Sequence, residues 1–337
     1  MVQLLIIALA LVGAAALTGT VRRYAIRKSV LDIPNERSSH SVPTPRGGGV
    51  AIVVAFIAAT LLLFAFGNVS LATTSALVLG GAGVAVLGFY DDLGHIPARW
   101  RLLGHFLAGI WIVFNLGGLA PITLWGEASN LGFIGSLLAV VFLVWMLNLY
   151  NFMDGIDGLA SSEAVFVGLS GGLIYFLSGH GGLAGLSFAL AASGAGFLLW
   201  NFPPAKIFMG DAGSGFLGVV MGTMALIAGW TSPDFFWCWV ILLGVFVVDA
   251  TVTLLRRLMR GEKVYEAHRS HAYQFASRQF ASHKKVTLAA WGLNLFWLFP
   301  VALLVAFCGL NGVLGVCLAY LPLVVLALKF HAGEREL

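Results

Sequence analysis

Apolar residues run in long blocks separated by short polar breaks, with no strand-like alternation anywhere. Eleven blocks are each close to the roughly 20 residues that a membrane-spanning helix needs: 2–20, 47–66, 71–90, 102–119, 131–150, 162–178, 183–200, 213–230, 236–255, 287–307 and 313–329. Blocks this apolar must be helices, because backbone groups in lipid have to be satisfied within the segment. A β-barrel would show alternating segments of about ten residues instead. The pattern predicts an all-α, polytopic transmembrane bundle of about 11 spans.

Composition narrows this to one membrane-embedded unit. Of 337 residues, 59% are hydrophobic and only 10% charged, where a soluble domain carries about a quarter charged residues; mean hydropathy is +0.94. The low charge extends along the whole chain, so residues 1–337 read as a single domain. Cys238, Cys308 and Cys317 lie in or beside apolar runs, with no zinc-like spacing, and read as small hydrophobes. The first twenty residues lack a positive leader region and precede Arg22, Arg23, Arg27 and Lys28, the pattern of a first span with its N-terminus outside.

Orientation follows from the basic residues. An outside N-terminus makes 21–46, 91–101, 151–161, 201–212, 256–286 and 330–337 cytoplasmic, the first five being the main loops. All 19 Lys and Arg residues fall in these segments or at Lys329, the inner end of the last span. The C-terminus is then cytoplasmic. The outer connections, such as Gly67–Ser70 and Thr231–Phe235, are too short to bear a domain. A net charge of +4 needs no nucleic acid to explain it; basic loops beside a membrane suit anionic lipid or phosphate ligands.

Four acidic clusters face the same side. They are Asp91-Asp92; the run Asn148-Leu-Tyr-Asn151-Phe-Met-Asp154-Gly-Ile-Asp157-Gly158; Phe208-Met-Gly-Asp211-Ala-Gly-Ser214; and Asp249. Adjacent carboxylates at a membrane boundary repel one another and are costly to desolvate. A cation relieves both costs, and oxygen ligands of this kind suit Mg²⁺, or Mn²⁺, bridging carboxylates to substrate phosphates. Solvated helix ends would explain one such cluster but not several Gly-flanked clusters on one face. Two basic loops complement them: Arg37, His40 and Arg46 before the second span, and His268, Arg269 and His271 late in the chain. Arg beside His suits phosphate. His268 and His271 lack a third ligand at zinc spacing.

In combination these motifs resemble those of the polyprenyl-phosphate N-acetylhexosamine-1-phosphate transferases, the MraY/WecA superfamily of glycosyltransferase family 4. The resemblance covers about 32–275 and rests on Pro43-Thr44-Pro45-Arg46-Gly-Gly, Asp91-Asp92, Asn151 to Gly158, Phe208 to Ser214 and the late His-Arg-Ser-His. It is greatest for the WbpL-like branch that starts O-antigen synthesis. The resemblance implies transfer of a sugar 1-phosphate from a UDP-N-acetylhexosamine to undecaprenyl phosphate, with Mg²⁺ and release of UMP, at the cytoplasmic face of a bacterial inner membrane. It implies Asp211 as metal ligand, and Asp91 and Asp92 as catalytic groups near the lipid phosphate. Asn151, Asp154, Asp157, Asn201 and Phe208 would line the nucleotide site, with Phe208 stacked on uracil. His268, Arg269 and His271 would hold the diphosphate or sugar, and His40 and Arg46 are candidates for phosphate. A homodimer is compatible with the sequence. The peptidoglycan branch has three consecutive His where this chain has His-Arg-Ser-His, and a Lys where it has His40, which argues against a muramyl-pentapeptide donor.

Two other readings compete. A transporter would carry mid-span charges, inverted repeats or broken helices, whereas the charges here cluster at inner boundaries. A CDP-alcohol phosphotransferase would space several Asp along one helix, and the Asp154-Gly-Ile-Asp157-Gly run does not continue that way.

Overall fold

The computed structural model describes residues 1–34, 42–94, 96–124, 127–262 and 269–334. Every one of the eleven apolar blocks is helical within it. Helix α1 (Val2–Arg27) is followed by two short antiparallel strands, β1 (Leu31–Asp32) and β2 (Thr44–Pro45), and by α2 (Val50–Ala65). Helix α3 (Leu71–Ser75) runs through a π-helical stretch, Ala76–Gly80, into α4 (Gly81–Gly94). Helix α5 (Ala98–Leu116) and the strand pair β3 (Ile122–Leu124) and β4 (Glu127–Ser129) lead to α6 (Gly132–Phe152). Then come α7 (Leu159–Leu177), α8 (Gly181–Asn201) and α9 (Asp211–Thr231). Helices α10 (Pro233–Leu242) and α11 (Gly244–Met259) precede the short α12 (Ala272–Gln279). Helix α13 (His283–Leu293) continues through a second π-helical stretch, Asn294–Leu298, into α14 (Phe299–Cys308), and α15 (Gly312–Lys329) closes the chain.

Among the described residues, eight helices are long and apolar enough to cross a membrane. The predicted span 236–255 is not one straight rod: α10 and α11 meet at a 70° bend and would count together as a ninth. Helix α2 has only 16 residues, and Arg99, Arg101 and His105 dilute the apolar run at the start of α5.

Burial ranks the helices. The most apolar 18-residue window of α9 is 100% buried, against 28% for those of α1 and α15. Helix α9 is therefore the central post, flanked by α4, α6, α10 and α2, while α8 packs on α7 and α1. Helices that leave most of that stretch unburied, as α1 and α15 do, present it to lipid.

Two close approaches set where the loops meet. A Cβ on Gly88 of α4 would lie 2.6 Å from the carbonyl of Asp211, so only glycine lets α4 cross the first turn of α9. Asp92, four residues on, shares that face. A Cβ on Gly49 would lie 2.5 Å from Gly213 Cα, which seats the Gly47–Gly49 turn on the same helix start.

Candidate active site

The site forms round the N-terminus of α9. A helix start leaves amide groups without intrahelical partners and favours negative charge. Here Asp92 supplies both needs from another helix. Its Oδ1 accepts from the Asp211 amide at 3.2 Å, and its Oδ2 from the Ala212 amide at 3.3 Å. The Arg46 guanidinium donates to the Asp92 backbone carbonyl, bringing the Pro-Thr-Pro-Arg loop alongside. That loop is also stitched to the segment before α9: the Phe208 amide donates to Pro45 O at 2.8 Å, and those of Gly48 and Gly49 to Phe208 O and Met209 O, each at 2.9 Å.

Asp91 turns the other way. It is buried, pairs with Arg101 and accepts from the Ile96 amide at 2.7 Å. Arg101 also lies 3.6 Å from Asp211 Oδ2, so one guanidinium spans two motif carboxylates. Asn151 completes the ring by donating to Asp211 Oδ1 and Ser214 Oγ, both at 2.9 Å.

Asp154 and Asp157 sit in the loop between α6 and α7. The Asp157 carboxylate accepts from the Ala205 amide at 3.0 Å and lies 3.3 Å from His283 Nδ1. The Asp154 carboxyl has no hydrogen-bond donor among the described residues. Burial first, then the charges of Asp211, Asp92 and Asp157, hold it well above the usual carboxylate range. Four carboxylates thus crowd one small region, and Arg46 and Arg101 are among the cations beside them.

On the far side of that loop, Asp249 repeats the arrangement of Asp92. Its Oδ1 accepts from the Ala272 amide at 2.9 Å and its Oδ2 from the Tyr273 amide at 3.0 Å, capping α12 from α11. The buried His271 lies beside it, Nδ1 to Oδ1 3.3 Å. The Tyr273 hydroxyl donates to Phe152 O at 2.9 Å, fastening α12 to the end of α6. Between α12, α13 and the Pro203-Pro204 corner opens a polar cavity of about 510 Å³. Asp157, Arg269, Arg278, His283 and Lys284 line it.

The residues present fit a divalent cation that the substrate helps to hold. Among the described residues no three His, Cys, Asp or Glu side chains close round one point, so the protein shows no closed cage among them. It offers instead the half-exposed Asp211 carboxylate and the donor-free Asp154. That is the ligand economy of Mg²⁺, which keeps waters and phosphate oxygens beside one or two carboxylates.

Residues 74–229 match the family described as glycosyl transferase family 4. The chain is 32% identical over 285 residues to a probable undecaprenyl-phosphate N-acetylglucosaminyl 1-phosphate transferase of Bacillus subtilis, covering 81% of this chain and 76% of that protein. The chain belongs to this family. It is 30% identical over 322 residues to the decaprenyl-phosphate N-acetylglucosaminephosphotransferase of Mycobacterium tuberculosis (CDC 1551 / Oshkosh), covering 83% and 78% of the two chains. A phospho-N-acetylmuramoyl-pentapeptide-transferase of Moorella thermoacetica is 35% identical over 200 residues, 55% of this chain and 61% of that one. The protein is thus a multi-pass membrane member of the MraY/WecA superfamily, as its motifs resemble.

Within this family 4 transferase, Asp91, Asp92, Asn151, Asp154, Asp211 and Arg46 come together. Asp157 and Arg269 share the neighbouring cavity. Phe208 is half-buried, its backbone pinned on both sides. Asn201 is buried and fully engaged: its Oδ1 accepts from the Gly158 amide and the Ser161 hydroxyl, each at 3.0 Å, and its Nδ2 donates to Ile207 O at 3.0 Å. It fixes the Asp157-Gly158 turn from behind. His271 likewise lies behind the cavity wall, beside Asp249. His40 and His268 lie outside the described residues. Sequence reasoning missed Arg101, which counted only as an inner anchor, and the cavity residues Arg278, His283 and Lys284. Arg101 carried a signal: a cation in the first turn after Pro97, with only that break between it and Asp91-Asp92.

Proposed function

We propose that this family 4 member transfers N-acetylhexosamine 1-phosphate from a UDP-sugar to undecaprenyl phosphate at the cytoplasmic face of a bacterial inner membrane. UMP is released, and the product starts an O-antigen or related envelope polysaccharide. The observation that carries the reading is the meeting of Asp91, Asp92, Asn151, Asp154 and Asp211 with Arg46 and Arg101 round the start of α9. Such a site holds phosphates and lies where a membrane lipid and a cytosolic nucleotide can meet.

In the proposed reaction an oxygen of the lipid phosphate attacks the β-phosphorus of the UDP-sugar. A new phosphorus–oxygen bond forms, the bond from the β-phosphorus to the bridging oxygen breaks, and its electron pair leaves with UMP. The attacking phosphate is already anionic at neutral pH, so positioning and charge neutralisation do most of the work. Asp211, with Asp154 beside it, would hold Mg²⁺, which would draw off charge at the transferring group. Asp91 and Asp92 already accept two donors each, and they would serve as anchors that orient Arg101 and the α9 amides. Arg101 and Arg46 would meet the acceptor phosphate, and Phe208 would stack on the base. Asn151 aims Asp211. Arg269 and the cations lining its cavity would take the diphosphate and sugar.

Purified protein incubated with undecaprenyl phosphate and a panel of UDP-N-acetylhexosamines tests this. Release of UMP with at least one donor is expected, together with its loss in EDTA and recovery with Mg²⁺. A protein that releases no UMP with any donor would point back to a transporter or another membrane phosphotransferase.

A further inference from the structure

The last described residues form a buckle on the cytoplasmic end of the molecule. After α15 the chain turns back, and Ala332 is completely buried. Arg256 of α11 donates to Ala332 O and to Glu334 Oε1, both at 2.8 Å, and Arg260 donates to Gly333 O. His331 Nδ1 lies 2.7 Å from Glu334 Oε2. Gly333 has φ +75°, and a Cβ there would lie 2.9 Å from Thr253 O. The turn therefore presses on α11 with no room for a side chain.

From that anchored position the turn reaches the donor side of the site. The Gly333 amide donates to Ser270 O at 2.6 Å, between Arg269 and His271. His331 packs on Phe275 with ring centroids 5.3 Å apart, and Phe330 on Phe280 at 6.1 Å. Ser270 precedes α12, Phe275 lies in its middle and Phe280 caps its end. Arg278 on the same helix donates to Arg269 O at 3.3 Å. The buckle thus grips both ends of the short helix whose residues, with Arg269, wall the polar cavity. An eight-residue helix is too short to hold its place by its own hydrogen bonds, so its position is set by what clamps it.

We infer that the C-terminal turn, residues 330–334, is a positioning element for the sugar-nucleotide donor, acting through Ser270 and α12 on Arg269. This rests on the donor reading given above. Among the described residues the turn has no hydrogen bond or ring contact with those round α9, so its effect belongs to one substrate.

The test compares wild type with a chain ending at Lys329 and with the milder Gly333→Ala and Glu334→Gln. Steady-state kinetics for donor and acceptor are measured alongside backbone amide exchange over 269–280. The truncated chain is expected to raise the donor KM about tenfold, equivalent to roughly 1.4 kcal/mol, with kcat and the acceptor KM within about twofold of wild type. Gly333→Ala and Glu334→Gln should give smaller shifts of the same kind, and exchange over 269–280 should quicken in all three. A turn that only holds the fold together would lower the active fraction and melting temperature at unchanged donor KM; that result, or unchanged exchange in the two point variants, overturns the inference. If the truncated chain does not fold, the point variants decide. A wild type with no saturable dependence on any UDP-sugar sinks the donor reading itself, an outcome distinct from either.

Discussion

Asp92, half-buried, and Asp249, buried, are two carboxylates that sequence places in acidic clusters, and the structure gives both the same work. Each receives two amides from the first turn of a helix it does not belong to. Capping contacts of this kind are worth about 1–2 kcal/mol each. Asp249→Ala is therefore expected to lower the melting temperature and quicken exchange in α12, while leaving Asp211 and its neighbours in place. An unchanged melting temperature would contradict the capping role. Asp211 is different in kind, because its carboxylate is partly exposed and held by Asn151 rather than by backbone. Asp211→Asn should abolish turnover with insertion and melting temperature retained; residual activity near wild type would remove it from the metal site. Phe208 is pinned through its backbone by Pro45 and Gly48 and is half-buried. Base stacking is worth roughly 1–3 kcal/mol, so Phe208→Ala should weaken UDP-sugar binding about tenfold. Phe208→Tyr or Phe208→Trp should retain much of the binding. A Phe208→Leu variant that binds as wild type does would reduce the residue to packing.

Helices explain what the sequence could and could not disclose. The eleven apolar blocks are all helical, because hydropathy over about 20 residues is decided by the solvent and hardly by context. The 70° bend between α10 and α11 had no such signal. Apolar residues run straight through Leu243 and Gly244, and at the break Gly244 sits close against Tyr320, Leu323 and Leu298. The π-helical stretches at Ala76–Gly80 and Asn294–Leu298 were equally silent, since one extra residue in a turn leaves composition unchanged. The second of them brings Asn294 to Glu163 of α7, where Asn294 Nδ2 donates to Glu163 Oε2 at 2.5 Å. Glu163 Oε1 and Asn294 Oδ1 are both buried without a partner. An amide at 163 would supply the missing donor. Glu163→Gln is thus expected to match or exceed the wild-type melting temperature, while Glu163→Ala leaves Asn294 unpaired at a cost of about 1–3 kcal/mol. Equal melting temperatures for the Gln and Ala variants would show that this pair does not hold α7 to the π-helical stretch.

At the scale of the molecule, motifs as far apart in the chain as Arg46 and Arg269 converge on one end of the bundle. Sequence made that legible through charge, since every Lys and Arg falls on one side of the predicted spans. In the structure Arg22 and Lys206 meet at one end of the bundle, with Arg22 Nε donating to Lys206 O at 3.1 Å. Gln3 and Asn68 meet at the opposite one. What charge counting could not reveal was partnership. Arg101 was one basic residue among many until α5 folded it against Asp91 and Asp211, and His283 until α13 brought it to Asp157. The orientation predicts that reporters in the 120–130 and 231–235 connections read outside and those in 256–286 read inside.

The central claim is that this site moves a sugar together with its phosphate. It is tested most directly with a UDP-N-acetylhexosamine labelled on the β-phosphorus and incubated with the purified protein and undecaprenyl phosphate. The label is expected in the organic-soluble lipid product, with unlabelled UMP in the aqueous phase. Label that stays in the aqueous phase as UDP, while the sugar alone reaches the lipid, would contradict it.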